Sequence, residues 1–160
     1  MMTGLFLAIL GAALSTFMTG IGSSIGVGKA GVSAAGVLAE EPSLFSKVLI
    51  LMLLPATQGI YGLLVAFLTL QAVGVIGDPV GEITVAKGAL YFAACLPIAF
   101  SGLISAIHQG KCSVAGINTV AKKPDQMGKA LIIPAMVETY AILALLISIL
   151  AINGIKVLAI

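Results

Sequence analysis

Long hydrocarbon runs alternate with short polar punctuation along this chain. Met1 to Gly28 and Val48 to Gly77 contain no charged side chain. Gly88 to Gly110 contains no Asp, Glu, Lys or Arg and a single histidine, His108. Ala130 to Ile155 contains one acid, Glu138. Each run exceeds the about 20 residues that a helix needs to cross the hydrocarbon layer of a bilayer. The pattern predicts an all-α membrane protein of four transmembrane helices. The N-terminal run lacks the basic stretch that opens a signal peptide and stays apolar too long for one, so it reads as a span of the mature protein.

The lysines orient the spans. Lys29, Lys47, Lys111, Lys122, Lys123 and Lys129 gather near two polar segments, AEEPSLF and AKKPDQM, and only Lys87 and Lys156 lie toward the other side. Basic residues stay on the cytoplasmic face, so both segments are expected there and both termini outside. The segment GVIGDPVGEITVAK then forms a short outer link.

Displaced by 82 positions, the sequence matches itself without a gap. Gly20, Ser23, Gly28 and Lys29 meet Gly102, Ser105, Gly110 and Lys111; Pro42 and Lys47 meet Pro124 and Lys129; Thr57, Leu63 and Leu68 meet Thr139, Leu145 and Leu150. The chain is therefore a duplicated two-helix hairpin, with one unit over 1–77 and the second over 83–160. Each unit has an even number of spans, so the two hairpins are parallel rather than inverted. Glu138 meets Ala56, so only the second hairpin carries the acid.

Composition narrows the classes further. Of 160 residues, 60% are hydrophobic and 9% charged, far below the roughly 25% charged residues of soluble domains. With a net charge of +2 and neither Arg nor Trp, nothing points to nucleic acid. Cys95 and Cys112 lie in apolar or helical runs and read as reduced packing residues. The stripes Gly20–Ser24–Gly28 and Ala93–Pro97–Ser101–Ser105 suit close helix approach in lipid. Gly26-Val27-Gly28-Lys29-Ala30-Gly31 fits G-x-G-x-x-G, but no strand precedes it. The Walker pattern fails at Ser23 and at Ala30, so helix packing accounts for the glycines.

The candidate chemistry lies at mid-bilayer. At about 1.5 Å per residue, Glu138 sits about 14 Å from Lys129, Gln58 about 17 Å from Lys47 and Gln109 about 20 Å from Lys122. Thr57 and Tyr61 flank Gln58, and Gln109 shares a face with Ser101 and Ser105. An ionised Glu at this depth is costly unless a proton, a partner or a cation neutralises it. The available groups are oxygens: a carboxylate, two amides, a threonine hydroxyl, a phenol and the backbone that Pro55 loosens. Oxygen ligands suit a hard cation. The glutamines could alternatively bond helix to helix. His108 reads as a helix residue near the interface.

Duplicated hairpins, a glutamate in the last span alone, and AKKPDQ…MVETYAIL resemble the rotor-ring proteolipids of V/A-type rotary ATPases. LLPATQGIYG, LPIAFSGL, QGK and MVETYAILALLIS are most similar to the ring subunits of bacterial sodium-pumping enzymes of that class. The resemblance covers essentially all four spans. It implies an Na+ site made by the Leu54 carbonyl, Thr57, Gln58, Gln109 and Glu138, with Tyr61 bonded to the glutamate when the site is filled. It also implies a ring of identical protomers in lipid, turned against a stator subunit by ATP hydrolysis in a separate cytoplasmic head. Central-stalk subunits would meet the loops at 39–47 and 121–129, and the chain itself would have no hydrolytic site. One carboxylate per four helices suits ATP-driven pumping better than synthesis. Two other readings remain. A proton ring would need Glu138 but not the glutamines, and a non-rotary channel would want polar groups along a whole helix face.

Overall fold

The structure is a computed structural model that describes residues 2–77, 79 and 81–158. Asp78 and Val80 of the outer link, and Met1, Ala159 and Ile160 at the ends, lie outside the described residues. The first span is one helix, α1 (Met2–Glu40). The second comprises a 3-10 turn (Pro42–Leu44), α2 (Phe45–Leu53), a further 3-10 turn (Leu54–Ala56) and α3 (Thr57–Ala72). The third is α4 (Val85–Lys122). A 3-10 turn at Pro124–Gln126 leads into α5 (Met127–Lys156). All four spans are long and apolar enough to cross a membrane.

The helices outrun the uncharged stretches because charge does not stop a helix; α1 and α4 end instead just ahead of a proline, while α4 runs through Pro97 and α5 through Pro134. α1 continues through Lys29 to Glu40, where Glu41 turns extended (φ −137°, ψ 80°) ahead of Pro42. Lys123, its repeat partner, does the same (φ −143°, ψ 80°) ahead of Pro124. A proline clashes with a helical predecessor, yet fits the first turn of the next helix, where its missing N–H costs nothing. Thr84 caps α4 by accepting the Lys87 N–H at 3.1 Å. Lys47 Nζ donates to Pro124 O at 2.8 Å, so the two polar turns meet at one end of the bundle.

The hairpins lie side by side and parallel. α1 and α4 form the most extensive helix pair, in nearly the register of the repeat. A Cβ on Gly22 would lie 2.6 Å from Leu103 O, and one on Gly110 would lie 2.5 Å from Gly26 Cα. Backbones this close leave no room for side chains, so the contact needs glycine on both helices. These are not the expected glycines on α1. Gly20 and Gly28 face open space, and the α1–α4 contact runs instead over Gly22 and Gly26, on the adjoining face. α5 lies at the periphery, where 22% of its most apolar stretch is buried against 44% for α4.

Two apolar clusters divide the bundle along its length. One gathers Val65, Tyr91, Ile98 and Ala144; the other gathers Val48, Leu51, Ile117 and Ala130. On each span the polar candidates fall between the two. Cys95 and Cys112 are free thiols, and Cys95 packs against the Thr69 hydroxyl.

Candidate functional site

Pro55 creates the first part of the site. It has no N–H to continue the ladder, and the helix tightens into the 3-10 turn Leu54–Ala56 before α3 begins. This turn aims Leu54 O at Thr57, whose N–H and hydroxyl both reach it, the hydroxyl at 2.9 Å. Thr57 Oγ1 also lies 3.3 Å from Gln58 Oε1, and its one proton serves one acceptor at a time.

From Gln58 the polar chain crosses to α4. Gln58 Nε2 donates to Gln109 Oε1 at 2.6 Å and to Ser105 Oγ at 3.2 Å. Gln109 Nε2 then donates to Glu138 Oε2 at 3.3 Å and to Pro134 O at 3.1 Å, reaching α5. Tyr61 closes the set from α3, donating its hydroxyl to Glu138 Oε1 at 2.6 Å. Leu54, Thr57, Gln58, Gln109, Glu138 and Tyr61 thus form one connected network. It unites all the mid-bilayer candidates of the sequence, whereas His108 is exposed on another face of α4.

Both glutamines are fully buried and Glu138 is partly so. A buried amide without partners would cost a few kcal/mol, and here the partners are one another and the acid. The set contains one carboxylate and several neutral oxygens. Among the described residues, no three His, Cys, Asp or Glu side chains come together. Such a site suits a monovalent hard cation, whose charge the carboxylate alone balances.

Three further participants do not follow from the mid-bilayer oxygens alone. Ser105 accepts from Gln58 and donates to Val137 O at 3.0 Å, tying α4 to α5 beside the acid. Its spacing of four from Gln109 places it on the right face. The Pro134 carbonyl lies one turn before Glu138 on the same face, a position that the same spacing rule would find. Ser23 accepts the Gly59 N–H at 2.8 Å and so docks α1 on the start of α3. Ser23 is the repeat partner of Ser105, and that pairing is its signal.

The ATP synthase C-subunit family matches this chain twice, over residues 10–69 and 92–151. The chain belongs to that family. The two matched segments are displaced by the same 82 positions as the internal repeat, so each hairpin is one copy of the family's unit. The V-type sodium ATPase subunit K of Enterococcus hirae is 46% identical over 147 residues, covering 92% of this chain and 90% of the relative. The A-type ATP synthase subunit K of Methanocaldococcus jannaschii is 41% identical, over 97% of this chain and 66% of the relative. The 16 kDa proteolipid of the V-type proton ATPase from Nephrops norvegicus is 26% identical, over 90% of this chain and 88% of the relative. The chain is therefore a multi-pass membrane protein of the rotary-ATPase proteolipid class.

Proposed function

We propose that this chain is the rotor-ring subunit of a sodium-translocating V-type ATPase, each copy carrying one Na+ at Glu138. The observation that carries this reading is the network from Leu54 to Glu138. A proton needs only the carboxylate, whereas Na+ needs several oxygens in place of its water. Leu54 O, Thr57 Oγ1, Gln58 Oε1 and the two amide planes supply them around one acid. The Enterococcus hirae relative, named for sodium, supports the same ion.

Cation binding works against one feature of the hydrogen-bonded arrangement. Gln109 presents its Nε2 to Glu138, and an amide N–H repels a cation. Turning the amide over brings Oε1 to the ion and removes the acceptor for Gln58 Nε2, which keeps Ser105 Oγ. Loading is thus a ligand exchange, in which the Gln109 amide donor releases the carboxylate as the cation neutralises it. A neutral site can cross the lipid-facing arc of a ring without the desolvation cost of a bare carboxylate. Discharge then needs a competing cation, which a neighbouring stator subunit would provide.

The wider reading follows from the same duplication. The units of duplication are 1–77 and 83–160. Identical protomers form the ring, both proline-bearing turns face the cytoplasm, and central-stalk subunits dock on the loops at 39–47 and 121–129. ATP hydrolysis takes place in another subunit. The Nephrops norvegicus relative, named for protons, favours a proton ring as the second reading. The test is sodium protection of Glu138 from a hydrophobic carbodiimide. Millimolar Na+ should slow labelling, with greater protection at higher pH where fewer protons compete. Labelling indifferent to Na+ between about pH 6 and 9 would replace sodium with the proton.

A further inference from the structure

α3 begins without a cap of its own. Its first residue is Thr57, and Ala56 before it has no side chain that could accept a backbone N–H. A serine at that place would serve no better. A capping residue turns extended to bring its oxygen onto the first turn, whereas Ala56 keeps helical dihedrals (φ −79°, ψ −22°). The cause is Pro55. The 3-10 turn Leu54–Ala56 takes the Thr57 N–H onto Leu54 O, and the regular helix resumes only from Thr57. Gly59, the third residue of α3, is left among the first-turn N–H groups that need an acceptor from outside the helix.

That acceptor comes from α1. Ser23 is buried, and its Oγ takes the Gly59 N–H at 2.8 Å. Glycine at 59 permits the approach, because an added Cβ would lie 3.2 Å from Ser23 Oγ. Nearly one turn on, Gly26 bears on the proline itself, where an added Cβ would lie 2.7 Å from Pro55 Cβ. α1 therefore braces the break in the second span from both sides.

The second hairpin carries the same serine without the break. Val137 stands there for Pro55 and Ala141 for Gly59, and α5 runs unbroken past both. Ser105, the repeat partner of Ser23, donates its hydroxyl to Val137 O at 3.0 Å. The serine acts as a cap only in the hairpin where a proline has released an N–H for it.

We propose that Ser23 is a positioning residue for the cation site, capping α3 from another helix and so fixing the turn that presents Leu54 O, Thr57 and Gln58. The inference rests on the sodium reading above. A cation needs those oxygens at set distances, whereas a proton on Glu138 needs none of them. Without Ser23 Oγ, the Gly59 N–H is buried and unpaired until the turn rewinds toward Pro55 O. Rewinding rotates the peptide units on either side of Leu54 and Thr57. Glu138 stands on α5, away from that turn.

Carbodiimide labelling of Glu138 tests this role when it is read twice, as Na+ protection and as the pH profile without Na+. In Ser23→Ala the Na+ midpoint should rise roughly 10-fold or more, the loss typical when a group that orients metal ligands is removed. The pH midpoint without Na+ should stay where it is. Ser23→Thr keeps the oxygen and should recover most of the Na+ affinity. A Ser23→Ala midpoint within about threefold of the parent would overturn the role and leave Ser23 a packing contact. A joint shift of both midpoints would overturn it too, since that marks a loosened bundle rather than misplaced ligands. Gly59→Ala gives a second arm, because its Cβ crowds Ser23 Oγ. It should raise the Na+ midpoint in the parent and raise it less in Ser23→Ala, where the crowded atom is gone; equal increments would refute the coupling. A parent chain whose labelling ignores Na+ would end the sodium reading and this inference with it. Failure of Ser23→Ala on a sodium-protected parent would end the inference alone.

Discussion

Replacing Gln109 with alanine removes the one side chain that touches both halves of the network. The change takes away the acceptor of Gln58 Nε2 at 2.6 Å and the donor to Glu138 Oε2 at 3.3 Å. It also removes the donor to Pro134 O at 3.1 Å. Ser105 Oγ remains for Gln58 and the tyrosine hydroxyl remains for Glu138, so neither group is stranded. The fold should therefore survive. Sodium loses an amide oxygen, a charge–dipole contact of about 1.5–3 kcal/mol, or roughly 10- to 100-fold in affinity. The vacated space is polar and adjoins several partners, so a water can enter and hold the loss toward the lower figure.

The assay is carbodiimide labelling of Glu138 in purified protein, titrated with Na+ at fixed pH above neutrality. The midpoint for protection should rise by about tenfold or more while thermal unfolding changes little. Gln58→Ala should act in the same direction, since the two amides are consecutive links. A Gln109→Ala midpoint within about threefold of the parent, well under 1.4 kcal/mol, would refute the ligand role. Gln109 would then be a bond between helices and nothing more.

Three other substitutions probe the rest. Glu138→Gln should abolish transport and ion-coupled ATP hydrolysis in the assembled enzyme while leaving helicity intact; pumping by this variant would end the single-carboxylate mechanism. Tyr61→Phe removes the 2.6 Å bond to Glu138 Oε1. Carbodiimide should then label Glu138 faster and Na+ should be held about tenfold less tightly, whereas an unchanged midpoint would place Tyr61 outside the site. Gly110→Ala puts a Cβ 2.5 Å from Gly26 Cα and 2.7 Å from Gly26 O, where only helix displacement can make room. Overpacking of this kind costs about 1–3 kcal/mol, and calorimetry should show a lower unfolding temperature; unchanged stability would mean that α1 and α4 stand further apart.

Spans, hairpins and the polar layer were legible in the sequence because each leaves a signal in hydropathy or in the repeat. The desolvation cost of Glu138 picks out that residue without any structure, and depth counting brings Gln58 and Gln109 beside it. Which glycines would touch was not legible. Gly20, Ser24 and Gly28 form as good a stripe as Gly22 and Gly26, and spacing does not tell which side of α1 meets α4. That choice depends on Gly102 and Gly110 across the contact, a pairing between helices.

Both stripes on α1 nevertheless have a physical reason to exist. A helix with one partner in lipid needs one small face; a helix between two partners needs two. Gly22 and Gly26 serve α4 of the same chain, and the uncovered Gly20 and Gly28 leave a second face of equal quality. Of the two halves of the repeat, the second carries Glu138 and the first has Ala56 at the corresponding place. A carboxylate in both would place twice as many charges in the membrane, each needing its own cation or proton before it could face lipid. One acid per duplicated chain halves that requirement and preserves the helix packing that both hairpins share.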